Sequence, residues 1–140
     1  MLWQQVLMAQ MEVPLSIASA FTLETLAGDT HNAWTSVPTD AAGQHVRVEF
    51  ATALVTSPGC EVLLPFICGP VLTDAFPKMV KDLRHAETGK RGYLVLTATP
   101  AEVRGDWVAI STGFSRSHSA NTAKCLRVLP GAGNLDVIAV

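Results

Sequence analysis

Residues 45–51 alternate strictly between polar and apolar side chains, and this constrains the fold more than any other stretch of the chain. The apolar members share one face and the polar members the other: Val46, Val48 and Phe50 against His45, Arg47 and Glu49. A period of two residues is typical of a half-buried β-strand. The sequence therefore predicts a strand that continues to Val55 and ends at the turn formed by residues 57–59.

Further strands are predicted on either side of this one. Residues 91–99 form an apolar run that ends at Pro100, and residues 103–111 form a second run around Trp107. Two strands joined by so short a link predict a β-hairpin. A shorter and more polar run at 22–27 predicts a strand that leads into a Gly-Asp turn.

One amphipathic helix is predicted between Val71 and His85. Its apolar residues recur at intervals of three and four, and Pro77 is expected to kink or restart it. Its Met and Phe side chains are expected in the core, and Gly89 follows as a stop signal. The chain becomes Ser-rich after Gly113, and residues 124–140 are expected to form a loosely ordered tail.

Composition excludes several classes of function. The length of 140 residues suits one domain, and an apolar fraction of 49% is enough for a core. The net charge is −2 and the basic residues are scattered, so nucleic-acid binding is not expected. No apolar run approaches the roughly 20 residues that span a bilayer. The first residues lack the pattern of a signal peptide.

Three cysteines, Cys60, Cys68 and Cys125, are too few and too irregularly spaced for a disulfide framework or a zinc knuckle. Buried or free thiols are therefore expected, since a buried Cys behaves as a small apolar residue.

The turn at Gly28-Asp29-Thr30-His31 is the candidate for chemistry. Asp supplies a hard oxygen ligand and His a borderline nitrogen ligand, so a loop with both can serve a mixed or two-metal centre. Gly28 is expected to let the backbone turn sharply. A structural alternative stays open, in which Asp29 caps the following turn and His31 lies partly buried beside Trp34.

An ordered series of segments resembles the C-terminal part of PhoD-type alkaline phosphatases, which are related to the calcineurin-like and purple acid phosphatases. The segments are Leu26-Ala27-Gly28-Asp29-Thr30-His31-Asn32-Ala33-Trp34, Val48-Glu49-Phe50-Ala51-Thr52, Val55-Thr56-Ser57-Pro58-Gly59, Arg91-Gly92-Tyr93 and Asp106-Trp107. Residues 4–11 resemble the segment before the final metal-binding stretch of that family. The resemblance thus covers roughly residues 3–113, and 114–140 form a divergent tail.

This resemblance implies a metal-dependent phosphoesterase, an alkaline phosphatase or phosphodiesterase that hydrolyses phosphate esters with metal-activated water. It implies that Asp29 and His31 are metal ligands, that iron and calcium are the metals, and that the protein is periplasmic or secreted. It assigns no other catalytic residue. The implied fold is α/β: a partial metallophosphoesterase sandwich with a mixed sheet, one amphipathic helix and a C-terminal β-hairpin.

Other features indicate an incomplete enzyme. The large N-terminal half of the family, with most of its metal ligands, has no counterpart here, and residues 11–28 look shortened. No spacing suggests a third ligand; Glu61, Asp74 and His85 could approach only through an arrangement that the sequence does not support. The isolated chain is therefore expected to have little turnover. Apolar surface left uncovered is expected to favour self-association.

The alternatives to a phosphoesterase are a structural module and a serine hydrolase. A non-catalytic β-rich structural or interaction module would use Trp34, Tyr93 and Trp107 only for packing. A serine hydrolase that uses Ser57 is disfavoured, because the chain has no nucleophile-elbow pattern and no His-Asp partnership for it.

Overall fold

A computed structural model describes residues 23–28, 30–64, 66–67, 69–131 and 138–139. Its elements, in order, are β1 (Leu23–Ala27), β2 (Ala33–Ser36), β3 (Arg47–Ala51), α1 (Cys60–Leu63), α2 (Pro70–Met79), β4 (Leu83–Glu87), β5 (Gly92–Ala98), β6 (Val103–Ile110), β7 (Ala120–Val128) and β8 (Ile138–Ala139). The predicted segment at residues 4–11 lies outside the described residues.

The strands form two four-stranded sheets. The first is mixed, with the order β1-β3-β2-β4; β1 and β3 run parallel, and β2 is antiparallel to β3 and β4. The second is antiparallel, with the order β5-β6-β7-β8. Side chains from both sheets share one hydrophobic core. The architecture is therefore a sandwich of two sheets.

Strand β3 supplies the centre of this core, as its alternation predicts, but it ends at Ala51, so the expected continuation to Val55 was wrong. Val48 and Phe50 are fully buried, whereas Arg47 is exposed. Val46 lies before the strand and is exposed. The Phe50 ring contacts the Trp107 ring of β6 at a centroid distance of 5.5 Å. The Trp107 indole N–H donates to the Ala51 carbonyl at 2.9 Å, so the one polar atom of this large ring is satisfied inside the core.

The predicted hairpin is confirmed as β5 and β6. Residues pair in a continuous antiparallel register from Gly92 with Ala109 to Ala98 with Val103. Thr99 closes the turn: its backbone N–H donates to the Glu102 carbonyl at 2.9 Å, and its hydroxyl accepts from the Glu102 N–H at 3.1 Å. The strand predicted at 22–27 is likewise present as β1.

The predicted helix between Val71 and His85 was wrong in its second half. Helix α2 ends at Met79, two residues after Pro77, and residues 83–87 form strand β4. Leu83 continues the helical spacing of Val80, which made the pattern look longer than the helix. Strand β4 instead pairs with the edge of β2, where Trp34 lies opposite Ala86. The backbone groups at the edge of β2 form hydrogen bonds with residues 83–87. In a continued helix, the backbone groups of the last turn would be left to solvent.

The helix is also less buried than its pattern suggests. It packs on β4, yet no residue of α2 with a described side chain is buried. Met79, expected in the core, is 77% exposed, whereas Phe76 is half-buried. Within the described part of the chain, no helix is both long and apolar enough to cross a membrane.

Two further expectations were wrong. Residues 124–128, expected in a loosely ordered tail, belong to β7, which is the longest strand of the second sheet. Cys60 is disulfide-bonded, whereas Cys125 is a free thiol. The proposed boundary at residue 113 stays a prediction.

Candidate metal centre

His31 lies in the loop between β1 and β2 and has an unusual backbone conformation. Its φ is 62°. Among the described residues, His31 is the non-glycine residue with a positive φ. A left-handed conformation is strained for a residue with a Cβ, and such residues concentrate at functional sites. Gly28 does not have this conformation, and a Cβ added to it would meet nothing within 4 Å. Neither the backbone conformation nor the surroundings of Gly28 require a glycine, and the positive φ in this loop belongs to His31.

The His31 ring has a defined orientation. Its Nδ1 lies 2.6 Å from the Pro58 carbonyl oxygen. A carbonyl oxygen can only accept, so Nδ1 carries the proton of this hydrogen bond. In the neutral ring the lone pair is then on Nε2, which is how histidine ligands are usually oriented toward metals. His31 is exposed, so the alternative of a partly buried ring beside Trp34 was wrong.

The neighbours of His31 fasten its loop to residues 52–60. The Thr30 hydroxyl contacts the Asn32 carbonyl at 2.7 Å and the Thr52 carbonyl at 3.1 Å. The Asn32 side-chain oxygen accepts from the Cys60 backbone N–H at 3.2 Å. Sequence reasoning missed these supporting contacts, because the loops that make them are more than twenty residues apart in the chain.

The second sheet also holds the 52–60 segment. Arg91, just before β5, donates from Nη1 to the Thr56 carbonyl at 2.8 Å. Arg91 also stacks over the Phe114 ring at 5.4 Å. The Arg91-Gly92-Tyr93 motif therefore contributes to the loop that faces His31.

Asp29, the other expected ligand, lies outside the described residues. Among the residues that the structure does describe, no group of three or more His, Cys, Asp or Glu side chains could hold a metal. Asp74 and His85 thus do not form such a group, and the Glu61 side chain is not described. The assignment of Asp29 and His31 as ligands stays a prediction, and the His31 geometry fits that role.

Asp106, from the Asp106-Trp107 motif, belongs to a different environment. The single N–H of Arg104 Nε is shared between both oxygens of the Asp106 carboxylate, each 3.1 Å away, and Nη2 donates to Oδ1 at 3.0 Å. A hydrogen bond from the Cys125 thiol, together with those from Arg104, lowers the pKa of Asp106 below its usual value. This carboxylate is paired within the second sheet, which indicates a structural role.

A comparison with solved structures finds PhoD, with a TM-score of 0.67 and 18% sequence identity over 89% of this chain. The chain has the fold of part of PhoD. It covers only 24% of the PhoD chain, so it corresponds to a fragment of that structure. The likeness to PhoD confirms the predicted fold class: a partial α/β sandwich with a mixed sheet, one amphipathic helix and a hairpin. No protein-family model and no curated protein matches the sequence.

Proposed function

We propose that this chain is part of a metal-dependent phosphoesterase, an alkaline phosphatase or phosphodiesterase, and that it has little activity alone. The observation that carries the proposal is the His31 imidazole, held through Nδ1 by the Pro58 carbonyl on a strained loop. The likeness to PhoD supports the same proposal at the level of the fold.

In this proposal Asp29 and His31 hold metal, and iron and calcium are the metals that the sequence resemblance implies. Bound metals would supply an activated water molecule and neutralise charge on the phosphoryl oxygens. The described residues contribute orientation: the Pro58 carbonyl keeps the proton on Nδ1, and the bonds of Thr30 keep the loop in place. Two ligands are fewer than the three that catalytic metal sites usually take from protein.

A periplasmic or secreted location is part of the proposal. The disulfide bond of Cys60 supports it, because disulfides persist mainly in oxidising compartments.

Metal binding by the isolated chain provides the first test. Manganese(II) is added to ¹⁵N-labelled protein as a paramagnetic probe, which detects weak binding through line broadening. We expect broadening centred on residues 28–32, and we expect His31→Ala to remove it. His118→Ala is the control, since His118 is exposed on a different loop. Broadening that is unchanged in His31→Ala would contradict the proposed site.

Turnover provides the second test. With added iron and calcium, the isolated chain is expected to hydrolyse bis-p-nitrophenyl phosphate no faster than the metals alone. Substantial hydrolysis that His31→Ala abolishes would show a complete active site and refute the proposed incompleteness.

The alternative is a non-catalytic β-rich structural or interaction module. It is favoured by the closed core between the two sheets, in which Trp107 is 4% exposed. Under this alternative, manganese causes no broadening near His31, and Asp29→Ala changes no binding property.

A further inference from the structure

Two hydrogen bonds run in opposite directions between the His31 loop and the turn at residues 58–60. His31 Nδ1 donates to the Pro58 carbonyl at 2.6 Å, and the Cys60 backbone N–H donates to the Asn32 side-chain oxygen at 3.2 Å. The adjacent residues His31 and Asn32 therefore bind Pro58 and Cys60, which are separated in the chain by Gly59 alone. Such a pair of bonds fixes both the distance and the relative orientation of the two segments.

The Cys60 N–H is a donor that its own helix does not satisfy. Cys60 is the first residue of α1, and the preceding Gly59 offers no side-chain cap. The first N–H groups of a helix have no intrahelical acceptor, so the Asn32 side chain acts as a cap from a distant part of the sequence. Gly59 is buried and extended, with φ −101° and ψ −160°. Holding Cys60 in place therefore also holds the direction of the Pro58 carbonyl.

The backbone of Asn32 is held as well. The Thr30 hydroxyl bonds the Asn32 carbonyl and reaches the Thr52 carbonyl of the same facing segment. The Asn32 side chain thus extends from a fixed backbone and is half-buried.

We propose that Asn32 is a positioning residue that keeps the His31 imidazole in its Nδ1–H tautomer by holding the Pro58 carbonyl toward it. The importance of this tautomer for catalysis rests on the proposed function, in which Nε2 binds metal. The tautomer itself does not depend on metal, and it can be measured in the metal-free chain.

The test is the tautomer of His31, read from its ring ¹⁵N chemical shifts in metal-free protein at a pH of about 8.5, well above the pKa of a model imidazole. The parent is expected to show mainly Nδ1–H. Asn32→Ala removes the acceptor and is expected to shift His31 to mainly Nε2–H, the form that an unconstrained imidazole prefers in water. Asn32→Asp keeps an acceptor oxygen and is expected to retain Nδ1–H. Asn121→Ala, an exposed Asn on β7, is the matched control and is expected to change nothing.

Folding is checked in each variant by the Trp107 indole N–H signal, since that group is bonded within the core. A folded Asn32→Ala that stays Nδ1–H would overturn the proposal, and so would a folded Asn32→Asp that becomes Nε2–H. If Asn32→Ala does not fold, the His31 tautomer in Asn32→Asp tests the proposal alone. Unfolding of both variants would also overturn the proposal, because Asn32 would then maintain the fold rather than the ring. Absence of manganese broadening in the parent would refute the proposed function. It would not affect the tautomer measurement, which is made without metal.

Discussion

His85 is a half-buried ionisable residue at the contact between the two sheets. Its ring packs edge-on to Trp107 at a centroid distance of 5.6 Å. Its Nε2 is buried and has no hydrogen-bond partner among the described residues. Burial lowers the pKa of His85 below its ordinary value of 6.5; Lys124 and Lys90 also lower it, and Glu87 opposes them. The folded protein therefore binds a proton at His85 less readily than the unfolded chain does.

This difference makes folding stability depend on pH. Between the lowered pKa of the folded state and 6.5, the unfolded chain binds more protons, so the free energy of unfolding falls as pH decreases. His85→Phe is expected to remove this contribution and to raise stability at pH 8 by about 1 kcal/mol, because a buried polar atom without a partner costs roughly that much. Urea denaturation at pH 5 and pH 8 measures both effects.

The control for this prediction is His118→Gln, at an exposed position. It is expected to leave the pH dependence unchanged. Equal pH dependence in the parent and His85→Phe would show that other groups control acid stability.

At the scale of elements, the hairpin depends on close contact between β5 and β6 at Gly92. A Cβ on Gly92 would overlap the Val108 carbonyl oxygen of the neighbouring strand. A backbone atom held in a sheet cannot move aside as the end of a flexible side chain can. The absence of a side chain at this position therefore permits the pairing that begins β5.

Gly92→Ala is expected to lower the free energy of unfolding by about 2–4 kcal/mol, in the range of severe packing defects. Gly28→Ala is the matched control, since its Cβ would meet nothing within 4 Å, and a change of less than about 0.5 kcal/mol is expected there. Denaturant unfolding of both variants measures the difference. Equal stability of the two variants would contradict the close packing at Gly92.

At the scale of the whole molecule, apolar side chains are exposed around α1 and the start of α2. We call these residues the 62–71 surface: Val62, Leu64, Phe66, Ile67 and Val71. Phe66 is 99% exposed. Monomeric proteins seldom expose large contiguous apolar patches, and the chain covers only 24% of PhoD. We therefore propose that a second copy of this chain covers the 62–71 surface.

Sedimentation velocity over a range of protein concentrations tests this proposal. The parent is expected to form dimers, and Phe66→Ser is expected to weaken dimerisation at least tenfold. Phe114→Ser is the control, because Phe114 is 88% exposed and lies outside that surface. A monomeric parent, or equal dimerisation in Phe66→Ser, would contradict the proposal.

The sequence by itself determined the strands with local signals. Alternation around Val48 and Phe50 predicted β3, and the short link at residues 100–102 predicted the hairpin, because a period of two residues and a tight turn depend only on neighbours in the chain. It also singled out His31 as a candidate ligand.

Only the tertiary structure decided the features that depend on contacts between segments distant in the chain. Residues 83–87 became a strand because β2 offered its edge, and residues 120–128 became β7 because β6 did. His31 took a positive φ and donated to Pro58 because a loop 27 residues away supplied the acceptor. Backbone hydrogen bonds between remote segments carry no sequence period, so the pattern of residues could not reveal them.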